Sequence, residues 1–545
     1  MHPTDRDIVL VPLNRLDIWR PPTALIILLA GALHASSLAW PLPTLSFLGV
    51  TLQRGQPLWW LQLASMAILV ALITRVKSAK EAALMGWLFA LAWLALTFGW
   101  LYTSMHVYGG LNGVLAVVAV GVLAGVLSLY YAAACWSFKR LTHTPKVEAA
   151  ILFAALWLLA ELARGQWLTG FGWGAAGYAH VEGPLQPLLP RLGAYGVGGV
   201  AAVIAAKLAV IVQAATVRVR LVAALSCAAL VLLSSLLPEP VGTVTGHLNV
   251  TLLQGNIAQE EKFEPATGVV KALRWYGEEL RMAEADLVIS PETALAVLPQ
   301  QLPDGYWQAL QQRFAHGTQA ALVGIPLGDY AVGYTNSIIG FKPDQAQPWR
   351  YDKHHLVPFG EFIPPLFRWF TDLMRIPLGD FNRGPLPQPT FDWQGQRLAA
   401  SICYENLFSE ELATQFVDAT KAPTILFNIS NLGWFGEHLA MNQHLQIARM
   451  RALEFDRPFL LATNTGQTAI VNHRGVVTQQ AVAHTATALH GAVQGRTGVT
   501  PYARWAAIWG QWPLWLLALG VVGLAMWRNA HTLDARCAAK PLANP

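Results

Sequence analysis

The chain has 545 residues, of which 54% are hydrophobic and only 13% are charged, where an ordinary soluble domain is about 25% charged. That balance, with a mean hydropathy of +0.38 and 22 tryptophans, excludes a simple soluble protein and points to a polytopic membrane protein. The net charge of +5 is small, and without a basic run on the more polar later half it gives no support for bulk nucleic-acid binding.

Runs of the length that crosses a bilayer, roughly 20 apolar residues, fall at 23–40, 58–74, 82–103, 111–136, 149–163, 192–217 and 221–237, with an eighth at 505–527. Lysine and arginine alternate between the connecting loops. Arg6, Arg15 and Arg20 precede the first run, and Arg75, Lys77 and Lys80 follow the second. Lys139, Arg140 and Lys146 follow the fourth, Arg218 and Arg220 the sixth, and Arg528, Arg536 and Lys540 the last. The loops between are poor in both. The expected organisation is a cytoplasmic N-terminus (1–22), a transmembrane domain of seven spans (23–237), an outward-facing domain (247–496), an eighth span (505–527) and a cytoplasmic tail (528–545). The first run is read as a retained span and not a cleaved signal peptide, because the alternation works with it in place. Lys207, inside the sixth run, is read as snorkelling towards an end of its helix. The aromatic loop 165–192 lies on the side of the outward domain. It either packs on that domain or forms an interfacial belt.

From Leu248 the pattern changes. Short β-branched runs at 248–253, 286–290, 320–325, 334–341, 397–403, 424–429 and 458–463 alternate with helical spacing at 266–284, 304–315, 406–418 and 442–456. The fold class is therefore a polytopic α-helical membrane domain plus an α/β soluble domain.

Polar residues follow the predicted strands: Glu292 after 286–290, Cys403 and Glu405 after 397–402, Trp434 after 424–429, and Asn464 after 458–463. In α/β sheets ligands bind beyond the carboxyl ends of the strands. Of four cysteines, Cys135 and Cys227 lie in apolar runs, Cys537 in the tail, and Cys403 alone in the soluble domain. No pair has zinc-ligand spacing or suggests a disulfide framework. Cys403 is either a buried structural thiol or a nucleophile. A thiol needs a base to take its proton and a cation to steady the thiolate, and Glu292 and Lys353 are of those types. Each alone has a bland reading: a helix cap, a solvated lysine, a core cysteine. The histidines His354, His355, His438 and His444 show no metal-ligand spacing.

Taken together, Gln254-Gly-Asn-Ile257, Pro291-Glu-Thr-Ala294, the run Tyr351 to Pro364, Ile402-Cys-Tyr-Glu405, Trp434-Phe-Gly436, Gln443 to Glu454, Ala462 to Gly466 and Gly498 to Arg504 resemble the nitrilase superfamily, and within it the apolipoprotein N-acyltransferase family. The resemblance implies an α-β-β-α sandwich, with Glu292 as general base, Lys353 as oxyanion-stabilising lysine and Cys403 as nucleophile. It implies supporting or substrate-binding roles for Glu361, Tyr404, Glu405, Trp434, Asn464 and Phe263, and no cofactor or metal. It further implies a phospholipid acyl donor, usually phosphatidylethanolamine, a diacylglyceryl apolipoprotein acceptor, and a bacterial inner membrane location with a periplasmic catalytic domain. A monomer is expected. Residues 364–383, with Leu366, Trp369, Phe370 and Leu373 at i, i+3, i+4 and i+7, read as an apolar arm; Trp369 and Phe370 are its lipid-facing candidates. Departures from the family pattern are Leu432-Gly433 before Trp434, Ser290 before Pro291, and Phe263 in place of a tryptophan. Two other classes stay open on the residues alone: a membrane-tethered amidase that uses water as acceptor, and a non-catalytic lipid or lipoprotein carrier.

Overall fold

A computed structural model describes residues 21–47, 49–142, 148–240, 242–329, 331–345, 347–364 and 381–538. The expected apolar arm, including Trp369 and Phe370, lies almost wholly outside the described residues.

Helices α1 (Pro21–Leu38), α2 (Trp59–Ile73), α3 (Ala79–Thr97), α4 (Gly113–Leu141), α5 (Glu148–Gln166), α6 (Leu189–Gln213) and α7 (Val217–Ser235) form a bundle. By length and composition α1, α3, α4, α6 and α7 are able to cross a membrane, while α2 has only 15 residues. Outward faces carry bare apolar side chains such as Leu25, Val114, Val117, Leu225 and Leu233. Exposed apolar surface on this scale is a lipid-facing surface. The basic loops gather at one end: Lys139 Nζ donates to the Thr74 carbonyl, Gln213 bonds to Thr74, and Arg528 pairs with Glu148. The soluble domain packs on the opposite end. Lys207 is buried on α6.

The expected 505–527 span is corrected by the structure. Pro501–Trp509 form a separate helix (α11) capped by the Thr500 hydroxyl, and Gly510 turns the chain at φ +53. The long helix α12 then runs Trp512–Ala538. The cause is local: Ala506 is buried, and Trp505 and Ala507 pack, against the soluble-domain core that also holds Tyr502 and Ala503, so the first part of the apolar run belongs to that core.

Two six-stranded sheets lie between these helices. One has the order β12-β1-β2-β3-β4-β5, built from β1 (Val244–Gln254), β2 (Leu287–Ile289), β3 (Ala320–Asp329), β4 (Gly333–Phe341), β5 (Trp349–Asp352) and β12 (Thr487–Arg496). The other runs β11-β10-β9-β8-β7-β6, from β6 (Phe391–Trp393), β7 (Gln396–Ile402), β8 (Ile425–Ser430), β9 (Phe459–Thr463), β10 (Ala469–Val471) and β11 (Val477–Gln480). The central strands β1, β2 and β3, and likewise β7, β8 and β9, are parallel.

Leu248, Val250 and Leu252 meet Leu398, Ala400, Ile402 and Phe427 between the sheets. On one outer face α8 (Val270–Met282) and α9 (Tyr306–Ala315) cover Val288, Ala321 and Val323. On the other, α10 (Ala440–Phe455) and α11 cover Leu426, Phe459 and Leu461. This is the α-β-β-α sandwich. Strands buried on both faces read as continuous apolar runs, which is why β3 and β8 were legible. The helix expected at 406–418 is instead a turn over Cys403–Leu407, a short helix Ser409–Ala413 and a further turn. Glu405 folds back to the end of β7 and interrupts it.

Candidate active site

The parallel strands deliver Glu292, Cys403, Asn431 and Asn464 to one edge of the sandwich, and β5 delivers Lys353 beside them. Lys353 Nζ lies 3.2 Å from Glu292 Oε1 and 2.9 Å from Glu361 Oε1. Asn336 Nδ2, from β4, donates to the same two oxygens at 2.7 and 2.8 Å. The two carboxylates thus share two donors, one charged and one neutral. The second Glu292 oxygen, Oε2, accepts the Asn431 N–H at 2.9 Å. Glu361 Oε2 accepts the Val357 N–H at 2.8 Å, which closes the turn after Lys353. All four side chains are buried.

Backbone geometry at the site is unusual for the residues that occupy it. Cys403 has φ +50 and Thr293, directly after Glu292, has φ +47. Left-handed conformations at non-glycine residues cost energy and cluster at functional sites. At Cys403 the turn swings a half-buried thiol out of the line of β7. Its carbonyl is held from behind by Asn428 Nδ2 and His444 Nε2, both at 3.3 Å. Close approach is needed on the Glu292 side, where a Cβ on Gly324 would meet the Pro291 carbonyl at 2.1 Å. Glycine is required there because the β2 loop lies directly on β3.

The electrostatics follow from this packing. Burial and then the Glu292 charge push the Cys403 thiol well above its ordinary range, with Lys353 and the Asn431 N–H acting against them. Burial would raise Glu292 too, but Lys353 and the Asn336 amide outweigh it and hold the carboxyl below its ordinary value. Burial would lower Lys353, yet Glu292 and Glu361 keep it firmly ammonium. A fixed cation, an ionised base and a neutral thiol therefore sit together. Arrangements of this kind transfer the thiol proton when an electrophile arrives.

The other residues singled out from the sequence divide by position. Glu405 Oε2 accepts from Ile402 N (2.6 Å) and Tyr351 Oη (2.9 Å), and Oε1 from His354 N (2.6 Å) and His355 N (3.1 Å). It clamps the segment after Lys353 to the strand end that carries Cys403. The Tyr404 ring packs among Phe171, His355 and Phe408, and its hydroxyl donates to the Gly170 carbonyl of the membrane-domain loop at 2.8 Å. Asn464 is one layer back: its amide bonds to Ile257 and Asn431. Trp434 stacks on Phe263 (centroids 6.2 Å) and meets Tyr108 edge-on at 5.9 Å. These three rings come from two loops of the sandwich and one of the membrane domain. Among the described residues no group of three His, Cys, Asp or Glu side chains is arranged to hold a metal ion.

Two residues of the site, Asn336 and Lys262, were not singled out, and a third was weighed for another role. Asn336 sits in Thr335-Asn336-Ser337, a polar trio inside a buried strand, and that was an available signal. Lys262 Nζ donates to the Glu292 carbonyl at 3.0 Å; it stands among glutamates in the sequence, a pattern that does not mark a buried residue. His444 was weighed only for metal-ligand spacing; in the structure its Nε2 lies 3.3 Å from the Cys403 carbonyl. The loop 165–192 packs on the sandwich. Phe171 stacks near Tyr404, and the Trp173 indole donates to Gln443 of α10 at 2.8 Å.

Comparison with known proteins separates the same two parts of the chain. The profile of the apolipoprotein N-acyltransferase N-terminal domain matches residues 26–207, and that of the carbon-nitrogen hydrolases matches residues 249–502. The apolipoprotein N-acyltransferase of Verminephrobacter eiseniae (strain EF01-2) is 52% identical over 517 residues, covering 90% of this chain and 93% of that protein. That of Ralstonia nicotianae is 41% identical over 502 residues, covering 91% of each. That of Bordetella bronchiseptica is 40% identical over 560 residues, covering 94% of this chain and 97% of its own. With bundle and sandwich matched together and in order along nearly the whole length of such relatives, the chain belongs to the apolipoprotein N-acyltransferase family.

Proposed function

We propose that the protein transfers an acyl chain from a membrane phospholipid, through a thioester on Cys403, to the α-amino group of the S-diacylglyceryl cysteine that begins an apolipoprotein. The observation that carries this reading is the buried Glu292–Lys353–Glu361 cluster beside a strained cysteine, in a chain similar along nearly its full length to proteins named for that reaction.

In the first half-reaction Glu292 takes the proton from Cys403 Sγ, and the thiolate attacks the donor's ester carbonyl. Lys353 and the Tyr404 N–H stabilise the oxyanion. Collapse breaks the ester C–O bond; the leaving lysophospholipid oxygen takes the proton from Glu292, and the acyl group stays on sulfur. In the second, the lipoprotein amine attacks the thioester, Glu292 takes a proton from the nitrogen, and the amide forms as Cys403 leaves and is reprotonated. Glu361 orients Lys353. Phosphatidylethanolamine is the proposed donor.

The proposed location is the inner membrane, with both termini cytoplasmic and the sandwich in the periplasm. Clustering of the basic loops at the end of the bundle away from the sandwich supports that orientation. The proposed extents are 23–237 for the seven-span domain and 247–496 for the catalytic domain, with the final span carried by α12.

The test is to incubate the purified protein with phosphatidylethanolamine and a synthetic diacylglyceryl lipopeptide, and to follow products by mass spectrometry. The expected result is one added acyl chain on the peptide amine, lost in Cys403→Ala. Acyl transfer that survives Cys403→Ala would refute the assignment, and free fatty acid as the sole wild-type product would make the protein a hydrolase.

A further inference from the structure

Lys262 stands in the stretch Glu260-Glu-Lys-Phe-Glu264. All three glutamates and Phe263 face outward, while the lysine alone turns in and is 2% exposed. A lysine among glutamates at a surface normally does the reverse, because an unpaired buried ammonium is costly. The turn that aims it inward is fixed. Glu261 N–H bonds to the Ala258 carbonyl and Glu264 N–H to the Glu261 carbonyl. A Cβ on Gly268 would strike the Glu261 carbonyl at 1.9 Å, so the following helical turn is pressed against the Lys262 backbone.

Inside, Nζ donates to the backbone carbonyl of Glu292 at 3.0 Å. Among the described residues no carboxylate lies within ion-pair distance of it. The ionisable groups whose charges act on it are Glu292 and Cys403; burial draws the ammonium down to about 7, and those two groups oppose the shift. Lys353 is differently placed. Its Nζ is shared between Glu292 and Glu361, and in the proposed reaction it must also face the oxyanion.

We propose that Lys262 is a positioning residue of the acyl-transfer site, a second cation held on the Glu292 carbonyl that keeps the Glu292 carboxyl ionised as a base while Lys353 serves the oxyanion. With it, below about pH 7 where Lys262 is charged, two carboxylates face two ammoniums and the buried cluster is neutral. Without it, Glu292 and Glu361 share one cation, and the cluster gains a proton at a higher pH. The inference rests on the proposed reaction at Cys403 and deepens it.

The test is the pH dependence of kcat/KM for lysophospholipid release by the full-length protein, from pH 3 to 9, in wild type, Lys262→Met and Lys262→Gln; the limb that reports Glu292 lies below the ordinary carboxyl value of 4.5 and is distinct from the Glu405 step near 7. A neighbouring ammonium lowers a carboxyl by about one unit or more, so both variants should move the acid limb up by about one pH unit. At the wild-type midpoint each would then run near a tenth of its own plateau. Glutamine tests charge against hydrogen bonding, because it can still donate to the Glu292 carbonyl, and it decides the matter alone if Lys262→Met fails to fold. An unmoved limb in Lys262→Gln would overturn the proposal, whether the rate stays normal or falls uniformly. Wild-type release that does not depend on Cys403 would overturn both this inference and the reaction it rests on; a Cys403-dependent wild type with unmoved variant limbs overturns this inference alone.

Discussion

Glu405 sits beside the nucleophile without touching the reacting atoms, and its removal tests whether the clamp it forms sets the geometry of the site. Its carboxylate accepts four donors: three backbone N–H groups and the Tyr351 hydroxyl. In Glu405→Ala all four lose their acceptor. Each buried orphan costs about 1–3 kcal/mol. A water entering the vacated space recovers part of this, since buried waters make two to four bonds, leaving about 3–5 kcal/mol. Borne by the reactive arrangement, that is a loss of two to nearly four powers of ten in rate, at about 1.36 kcal/mol per tenfold. Tyr351→Phe removes one donor and leaves the carboxylate three; it should cost about 1 kcal/mol, roughly fivefold. The assay is lysophospholipid release by detergent-purified protein, with the thermal midpoint measured on the same samples. A Glu405→Ala protein within twofold of wild type in rate, with an unchanged midpoint, would refute the clamp. A larger loss in Tyr351→Phe than in Glu405→Ala would show that the tyrosine matters for another reason.

The pH response of Glu405 gives a second prediction. Burial lifts its carboxyl from 4.5 to about 7 against the pull of the Ile402 N–H and Lys353. A raised carboxyl means its contribution to folding stability is full below 4.5 and is lost as pH rises through 7. Activity should run the other way, rising through about pH 7 as the carboxylate forms and accepts all four donors; thermal midpoints and rates measured across pH 5–8 check both, and Glu405→Gln should remove this component from each curve. Asn336→Asp would place a third carboxyl against two others, so one of the three should hold a proton near neutrality; acyl transfer at pH 7 should fall at least about tenfold, and a pH–rate profile should show its acid limb moved up. Gln443 Oε1 accepts the indole N–H groups of Trp100 and Trp173 at 3.0 and 2.8 Å. Gln443→Leu strands both, at about 1–3 kcal/mol each, and should lower the thermal midpoint in detergent by several degrees; an unchanged midpoint would show that the two indoles find other acceptors.

What the sequence disclosed, and what it withheld, follows from the kind of signal each feature leaves. Long apolar helices and doubly buried strands leave runs, so the bundle and β1, β3, β8 and β9 were legible. β12 pairs along β1 and its burial alternates over 489–495, but Gly491 and Gly495 fill two of the inward positions and leave little hydrophobic signal, and it was missed. β5, β6, β10 and β11 have three or four residues each and exist through their neighbours. Glu292, Lys353, Glu361 and Cys403 were recognisable as motif residues. Their contacts were not, because a motif does not say that one amide, Asn336, bridges both carboxylates. Tyr404 and Glu405 were read as shaping the site. In the structure Tyr404 faces the membrane domain and Glu405 faces backbone, so their effect on the thiol is indirect. The 505–527 run misled because Trp505, Ala506 and Ala507 are as apolar as any spanning residue while packing against the sandwich core.

The bundle and the sandwich also meet inside the site. His355, two residues after Lys353, places Nε2 2.9 Å from the Thr169 carbonyl and Nδ1 2.8 Å from Glu411. Tyr404, the residue after Cys403, donates to the Gly170 carbonyl. The membrane-domain loop that offers these carbonyls is itself held by Arg164, which donates to the carbonyls of Phe171 and Trp173, and by Glu161, which accepts the Ala176 N–H. One hydrophobic core runs from the bundle into Tyr404, Leu407, Phe408, Ile447 and Met450 of the sandwich. The segments carrying the base's partner and the nucleophile are thus each tied within two residues to a loop of the bundle. A carbon-nitrogen hydrolase sandwich standing alone would have water where those carbonyls are, and the strained turn at Cys403 would lose part of what holds it. For substrates that reach the site from a bilayer, the bundle then serves as part of the active-site wall as well as an anchor, which accounts for polar, loop-rich contacts at this interface where a tether would need none.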